Sequence, residues 1–408
     1  MSLLSRLTLM PVVWRLALAG AAVGAVAFGI VGVGRSLSFF DPKADMAYFY
    51  VAGTCLTHRT SPYDPASFAA ANPGIEDMRN DAYFYPPQFG TIAWLLALLP
   101  FLAAKILFVV INVVVLLFLI ALCARPPKVP TDLGVPDPAP EARWLIPAII
   151  LGNPFTAHVL WMGQTSLIAV GALAGGWVYA KRGQVWPGGL LIGLSTIKPQ
   201  FALFACLWLL LEGRWKVLLI GTATALLLSA PTMIVCGPVG AFTEWLGSAS
   251  RYHALAANAV GFRHVFSLQN FLAAMGLKLP TLFPVGVAAA AGLWWFRSRL
   301  VPSDVLALLV GVSLVFGFSH DYDLSALALL IPAFWTHLRG REKAALLAVG
   351  LMLLLFVPQR LFHSLKNDLL LQFRFPVVLG LLGWLLALSL KRTSKGPAPV
   401  ADLGPAAG

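Results

Sequence analysis

The sequence predicts an all-α polytopic membrane protein, and three observations carry that expectation. Of 408 residues only 11% are Asp, Glu, Lys or Arg, against about 25% in a soluble globular domain. The apolar fraction is 59% and the mean hydropathy +0.81, where an ordinary domain carries about 45–50% apolar residues. Apolar runs long enough to cross a bilayer recur from end to end, and in lipid a helix satisfies its own backbone polar groups. These values exclude an ordinary soluble enzyme, a disordered chain and a disulfide scaffold. They also argue against nucleic acid as a partner despite a net charge of +12, because a basic patch needs a solvated surface to sit on. A span with its turn takes about 30 residues, so the length accommodates roughly ten to thirteen spans.

The first apolar run, Leu16 to Gly34, follows Arg6 and Arg15. Ala25-Val-Ala27 mimics a signal-peptide cleavage site, but the run is longer than a typical signal core. It reads as an uncleaved span with a cytoplasmic N-terminus. The polar stretch 35–87 that follows is then a large first extracytoplasmic loop, and it holds the largest group of carboxylates, among them Asp41, Asp45 and Asp64. Further apolar segments lie at 88–104, 106–124, 144–162, 164–180, 187–212 and 217–235. A second large outer loop, 236–279, precedes segments at 280–297, 302–319, 322–337, 343–357 and 371–390. The single membrane domain spans 1–390, and the Pro/Ala/Gly-rich tail 391–408 is expected to be disordered and cytoplasmic. The protein is therefore expected to be integral to the cell (inner) membrane, with both termini cytoplasmic and the active site extracytoplasmic.

The distribution of Lys and Arg checks this order. Lys105, Arg214, Lys216, Arg297, Arg299, Arg339, Arg341 and Lys343 fall at cytoplasmic turns. Arg125, Lys128 and Arg143 fall outside, against the rule. Lys181 and Arg182 also fall outside if 144–162 and 164–180 both cross. An alternative makes 144–162 re-entrant, helped by Asn153-Pro154, and splits 187–212 into two half-helices at Lys198-Pro199. Both arrangements stay open at the level of sequence, as does a pairing of Cys55 with Cys236.

An ionisable residue at membrane depth is expensive and marks function by default. Asp45 and Asp41 follow the first span, although Asp41 opens an Asp-Pro step where a turn is the expected role. Lys198 interrupts the apolar run LIGLSTIKPQFALF, and snorkelling to an interface is its plain alternative. His320, Asp321 and Asp323 stand between two apolar segments; Arg263 lies in the second outer loop with Ser267, Gln269 and Asn270. There is no phosphate-binding GxxxxGK[ST], no HExxH, no zinc-spaced Cys/His cluster and no GxSxG elbow. Any chemistry must therefore use residues gathered from several loops and span ends.

Several of these pieces resemble glycosyltransferase family 87. They are Asp45-Met-Ala-Tyr-Phe-Tyr-Val-Ala-Gly53, Ser61-Pro-Tyr-Asp64, Phe84-Tyr-Pro-Pro87, Gly163-Gln164, Gly193-Leu-Ser-Thr-Ile-Lys-Pro199, Ser267-Leu268 before Asn270, and Ser319-His320. The similarity runs over roughly residues 10–390. It implies a GT-C type bundle of about 10–13 transmembrane helices whose first outer loop carries the catalytic acid near the membrane surface. The matching acid is Asp45, with Asp41 as the secondary candidate, and the matching late-span histidine is His320. Asp321-Tyr322-Asp323 depart from the family's pattern after that histidine.

The resemblance further implies a polyprenyl-phosphate sugar as donor, a mannose or similar hexose as the transferred group, and a lipid, glycan or protein acceptor. Asp45 would act as general base for an inverting transfer, and His320 would share in catalysis. Positive charge for the leaving phosphate would come from Lys198 and Arg263, and sugar or acceptor contacts from Tyr63, Tyr85, Gln164 and Asn270. The scheme calls for no cofactor and no metal. A multi-span transporter or flippase is the alternative, for which inverted repeats would be expected; none is evident.

Overall fold

A computed structural model describes residues 45–72, 83–124, 149–255, 258–338, 341–357 and 368–394, together with Phe362 and isolated positions between 19 and 34. Asp41 and most of the first span lie outside the described residues. The chain is built almost wholly of helices. Two of them, Phe101–Ala124 and Trp215–Cys236, are long and apolar enough to cross a membrane on their own, and several shorter apolar helices surround them. Leu98, Val114, Leu117, Leu219, Leu227 and Ile234 are exposed on the outside of the bundle, the pattern of a surface solvated by lipid rather than water. The protein is an all-α membrane protein.

Within the outer loop expected at 35–87, two helices stand among the described residues. Helix α1 covers Asp45–Thr57 and the short α2 Pro65–Ala70. Asp64 caps α2, accepting the Ser67 amide at 2.9 Å, with Pro65 in the first turn. Helices α3 (Gly90–Ala97) and α4 (Phe101–Ala124) follow, separated at Pro100. Glycine brings α1 against α3: a Cβ on Gly53 would lie 2.0 Å from the Ala93 carbonyl oxygen. Such close approach through small residues is how helices associate where lipid supplies no hydrophobic driving force.

Helices α5 (Pro154–Met162) and α6 (Ser166–Lys181) are bent by 115° at Gly163. Asn153 caps α5, and Gly163 ends it in the left-handed region at φ 64°. Helices α7 (Val185–Ser195) and α8 (Pro199–Leu211) are separate elements divided at Lys198, because Pro199 lacks a backbone donor and disfavours a helical residue before it. α7 lies between α6 and α9 (Trp215–Cys236). A Cβ on Gly189 would lie 2.5 Å from Ile220 Cβ, and one on Gly193 2.5 Å from the Gly221 carbonyl.

Lys181, at the end of α6, pairs with Glu212, which also takes Arg214 at 3.3 Å; Arg214 in turn donates to the Ala180 carbonyl at 2.6 Å. The turns at 181–184 and 212–214 therefore lie at one end of the bundle, with Lys198 between them in sequence at the turn from α7 into α8. That is the relation expected where 187–212 is split into two half-helices at Lys198-Pro199.

Helix α10 (Pro238–Ala254) opens the segment expected to be the second outer loop, after Gly237 at φ 79°. It docks on the first loop through side chains that reach backbone carbonyls. Trp245 Nε1 donates to Phe84 O at 3.1 Å, Ser248 Oγ to Tyr83 O at 2.7 Å, and Arg251 to Tyr63 O at 2.8 Å. A two-residue strand β1 (Val265–Phe266) precedes α11 (Leu268–Ala274) and α12 (Phe283–Trp295). Helix α13 (Val305–Phe316) leads into β2 (Ser319–His320), which pairs antiparallel with β1 in the register Val265 to His320. A 3-10 stretch, Asp321–Leu329, continues into α14 (Leu330–Leu338); α15 is Glu342–Leu355, α16 Asp368–Leu371 and α17 Arg374–Ser394. α17 runs past Leu390 into the segment expected to be a disordered tail. Cys55 and Cys236 are both free thiols, as are Cys123 and Cys206.

Candidate active site

Asp45 is the first residue of α1, where a carboxylate complements the positive end of the helix dipole. Its position is set by its neighbour: a Cβ on Gly163 would lie 2.6 Å from Met46 Cβ. The start of α1 therefore packs on the α5–α6 bend, and Gln164 is the next residue along that bend. Tyr85 donates its hydroxyl to Gln164 Oε1 at 2.6 Å, and its backbone carbonyl accepts from Tyr63 OH at 2.9 Å. Phe49 of α1 meets the Tyr85 ring edge-on at 4.6 Å.

On the other side stands a buried charged group. Lys198, 4% exposed, places Nζ 2.5 Å from Asp323 Oδ1 and 2.8 Å from Ser166 Oγ. Ser166 Oγ also donates to Asp323 Oδ1 at 2.7 Å, and Asp323 Oδ2 accepts the His320 amide at 3.0 Å. The Lys198 ammonium sits 4.7 Å from the Tyr322 ring centre, a favourable cation–π placement. His320 Nε2 and Tyr252 OH are 2.9 Å apart. Residues from α1, the α5–α6 bend, the α7–α8 break, α10 and the β2 strand thus meet in one place.

The electrostatics follow from burial. Loss of water around the carboxyl pushes Asp45 up to about 7; the Lys198 charge opposes this and the Asp323 charge adds to it. Asp45 thus ionises near neutral pH. Burial pulls the His320 imidazole down to about 4 against the attraction of Asp323, so His320 is neutral under physiological conditions, with one ring nitrogen a donor and the other an acceptor. Among the described residues no group of three or more His, Cys, Asp or Glu is arranged to hold a metal ion.

The remaining sequence candidates stand further back. Tyr63, 2% exposed, props the Tyr85 backbone. Asn270 is fully buried; it accepts from the Gly261 amide and donates to the Phe262 and Val265 carbonyls, so its amide shapes the loop that ends in β1. Arg263 is exposed and donates Nε to His264 Nε2 at 3.2 Å. His264 Nδ1 lies 3.1 Å from Asp321 Oδ2, which also takes Arg374 at 3.2 Å. Arg263 is thus linked through His264 and Asp321 to Arg374. Three residues without a role in the sequence reading belong to the site: Asp323, Ser166 and Tyr252. Asp323 was visible as a carboxylate between apolar runs; Ser166 and Tyr252 carried no signal.

Comparison with known proteins supplies the chemical class. Residues 83–358, more than half of the chain, match the model of glycosyltransferase family 87. The matched region contains Tyr85, Gln164, Lys198, Tyr252, Arg263, Asn270, His320 and Asp323, and it begins after Asp45. No curated protein and no solved structure matches the chain. On the family match and its helical membrane architecture, the chain belongs to glycosyltransferase family 87 and is a membrane glycosyltransferase.

Proposed function

We propose that the protein transfers a hexose, mannose or a close relative, from a polyprenyl-phosphate donor to an acceptor hydroxyl on the extracytoplasmic face, with inversion. Asp45 is the general base, and the observation that carries the reading is its placement. A half-buried carboxylate that ionises near neutral pH stands in the same electrostatic neighbourhood as a buried ammonium and a neutral histidine. That is the protonation state a base needs at the operating pH.

The acceptor hydroxyl is a weak nucleophile. As its oxygen attacks the anomeric carbon, Asp45 takes the proton; the bond from that carbon to the phosphate oxygen breaks, and the electron pair leaves with the phosphate. Lys198 and a donor nitrogen of His320 stabilise the growing charge on the leaving group. Tyr85 and Gln164 bind sugar hydroxyls. One carboxylate suffices, since a phosphate leaves as a stable anion and needs no acid partner of the kind a glycosidase uses. The apolar exterior of the bundle accommodates the polyprenyl chain. Broken helices at Gly163 and Lys198 are also a transporter's device, but here they bring Gln164 and Lys198 to Asp45, and family membership favours transfer.

The test is incubation of membranes containing the full-length protein with labelled polyprenyl-phosphate sugars, followed by identification of the product. Wild type yields a labelled glycoside and Asp45→Asn yields none. Turnover by Asp45→Asn at the wild-type rate would sink the assignment of the base; product from a pentose donor alone would sink that of the sugar.

A further inference from the structure

We propose that Asp323 is a positioning residue for the transfer reaction: by holding Lys198 on one oxygen and His320 on the other, it keeps the ammonium off Asp45 and so leaves Asp45 a competent base. The inference rests on the reading of Asp45 above. Lys198 acts electrostatically on two carboxylates, yet its ion pair is with Asp323, at 2.5 Å, and not with Asp45. Ser166 bridges the pair, 2.8 Å from Nζ and 2.7 Å from Oδ1. The second oxygen of Asp323 takes the backbone amide of His320 at 3.0 Å, at the residue that pairs with Val265 in the β1–β2 register. Asp323 is 1% exposed, so water does not compete for these bonds.

The consequence is chemical. An ammonium bonded directly to Asp45 would hold that carboxylate ionised and lower its affinity for the acceptor proton. With Asp323 as its partner, Lys198 remains close enough to act on a leaving phosphate while its charge is balanced from the far side. The other titratable groups that interact with Asp45 are the Tyr85, Tyr252 and Tyr322 hydroxyls; neutral His320 shares Lys198 and Asp323 with it. Among the described residues none of these supplies a second positive charge. Burial sets the basicity of Asp45 and Lys198 opposes it, while Asp323 decides where Lys198 points.

The experiment measures kcat/KM for transfer from a labelled polyprenyl-phosphate sugar against pH, in full-length wild type, Asp323→Asn, Asp323→Glu and Ser166→Ala. In Asp323→Asn the amide no longer balances Lys198, which turns to Asp45. The acid limb then moves down by roughly one pH unit, part of it from loss of the Asp323 charge itself, which Ser166→Ala leaves in place, and the plateau rate falls roughly tenfold. Asp323→Glu restores the limb towards wild type. Ser166→Ala removes only the bridge and shifts the limb in the same direction by less, which decides the matter if Asp323→Asn does not fold. A limb that stays at the wild-type position in the folded variants overturns the proposal, whatever happens to the rate, since a purely structural role lowers yield without moving it. Failure of the Asp45 assignment shows separately, as turnover by Asp45→Asn.

Discussion

Met46 packs where a side chain on Gly163 would begin: a Cβ built on that glycine would lie 2.6 Å from Met46 Cβ. This contact joins the helix that begins with Asp45 to the bend that carries Gln164. Gly163 has a second constraint, a φ of 64° that side-chain-bearing residues rarely adopt. Gly163→Ala is expected to cost about 1–3 kcal/mol of stability from backbone strain, and more from the clash. The α1 terminus must then move away from the site. Transfer should fall further than the change in thermal unfolding explains, because an ångström at the reacting groups costs about a hundredfold in rate. Full activity in a folded Gly163→Ala protein would show that the contact does not position Asp45.

Tyr252 and His320 form the second cross-loop contact, at 2.9 Å. Tyr252 comes from the helix whose side chains grip the carbonyls of Tyr63, Tyr83 and Phe84. It therefore ties the β2 histidine to the first loop. Tyr252→Phe keeps the ring contacts with Phe84 and Phe318 and removes only the hydroxyl. Expected are a stability loss of about 0.5–1.5 kcal/mol and a rate lowered about ten- to a hundredfold through a mobile His320 ring. The pH profile should keep its position, which separates this variant from those that disturb Lys198.

The pH dependence itself follows from Asp45. Its carboxyl titrates near 7, while His320, near 4, stays neutral over the working range; the donor phosphodiester does not titrate there either. kcat/KM should therefore rise about tenfold per unit on the acid side and level off above about 7. Stability takes the opposite sign. A carboxyl whose folded pKa lies above its ordinary value of 3.8 binds its proton more tightly when folded. Its contribution to stability is complete below that ordinary value and is lost as pH rises through about 7. Thermal unfolding of wild type and Asp45→Asn over this range checks the second half: the difference between them should change across it, and a constant difference contradicts the burial of Asp45.

How much of this was legible beforehand differs by residue. Asp45, Lys198 and His320 stood out because charge is scarce in an apolar chain, and a break at Lys198-Pro199 was one of two arrangements the sequence left open. The helical bundle was plain from hydropathy. What sequence could not supply was pairing. Lys198 and Asp323 are 125 residues apart, and no periodicity links them. Ser166 looked like one more small residue in an apolar run. The placement of Lys181 was ambiguous for the same reason, since its partner Glu212 lies 31 residues on, across two helices. Asn270 and Tyr63 drew attention as polar groups in loops, and the structure shows their polar atoms bonded to backbone.

The Lys198–Asp323 pair also separates stability from function. Removing one member of a buried pair strands the other, at a cost of about 3–5 kcal/mol, whereas replacing both with apolar side chains of similar size is often neutral or stabilising by about 1–4 kcal/mol. Lys198→Met alone should therefore unfold more readily than wild type, with Asp323 left to Ser166 and the His320 amide. The double variant Lys198→Met/Asp323→Leu should regain most of that loss in thermal unfolding. It should not regain transfer, because no ammonium then faces the leaving phosphate and nothing holds His320 by its amide. A double variant that recovers both stability and turnover would mean that the pair is only a packing element, and that the positive charge for the phosphate comes from elsewhere, with Arg374, buried and paired with Asp321, a candidate.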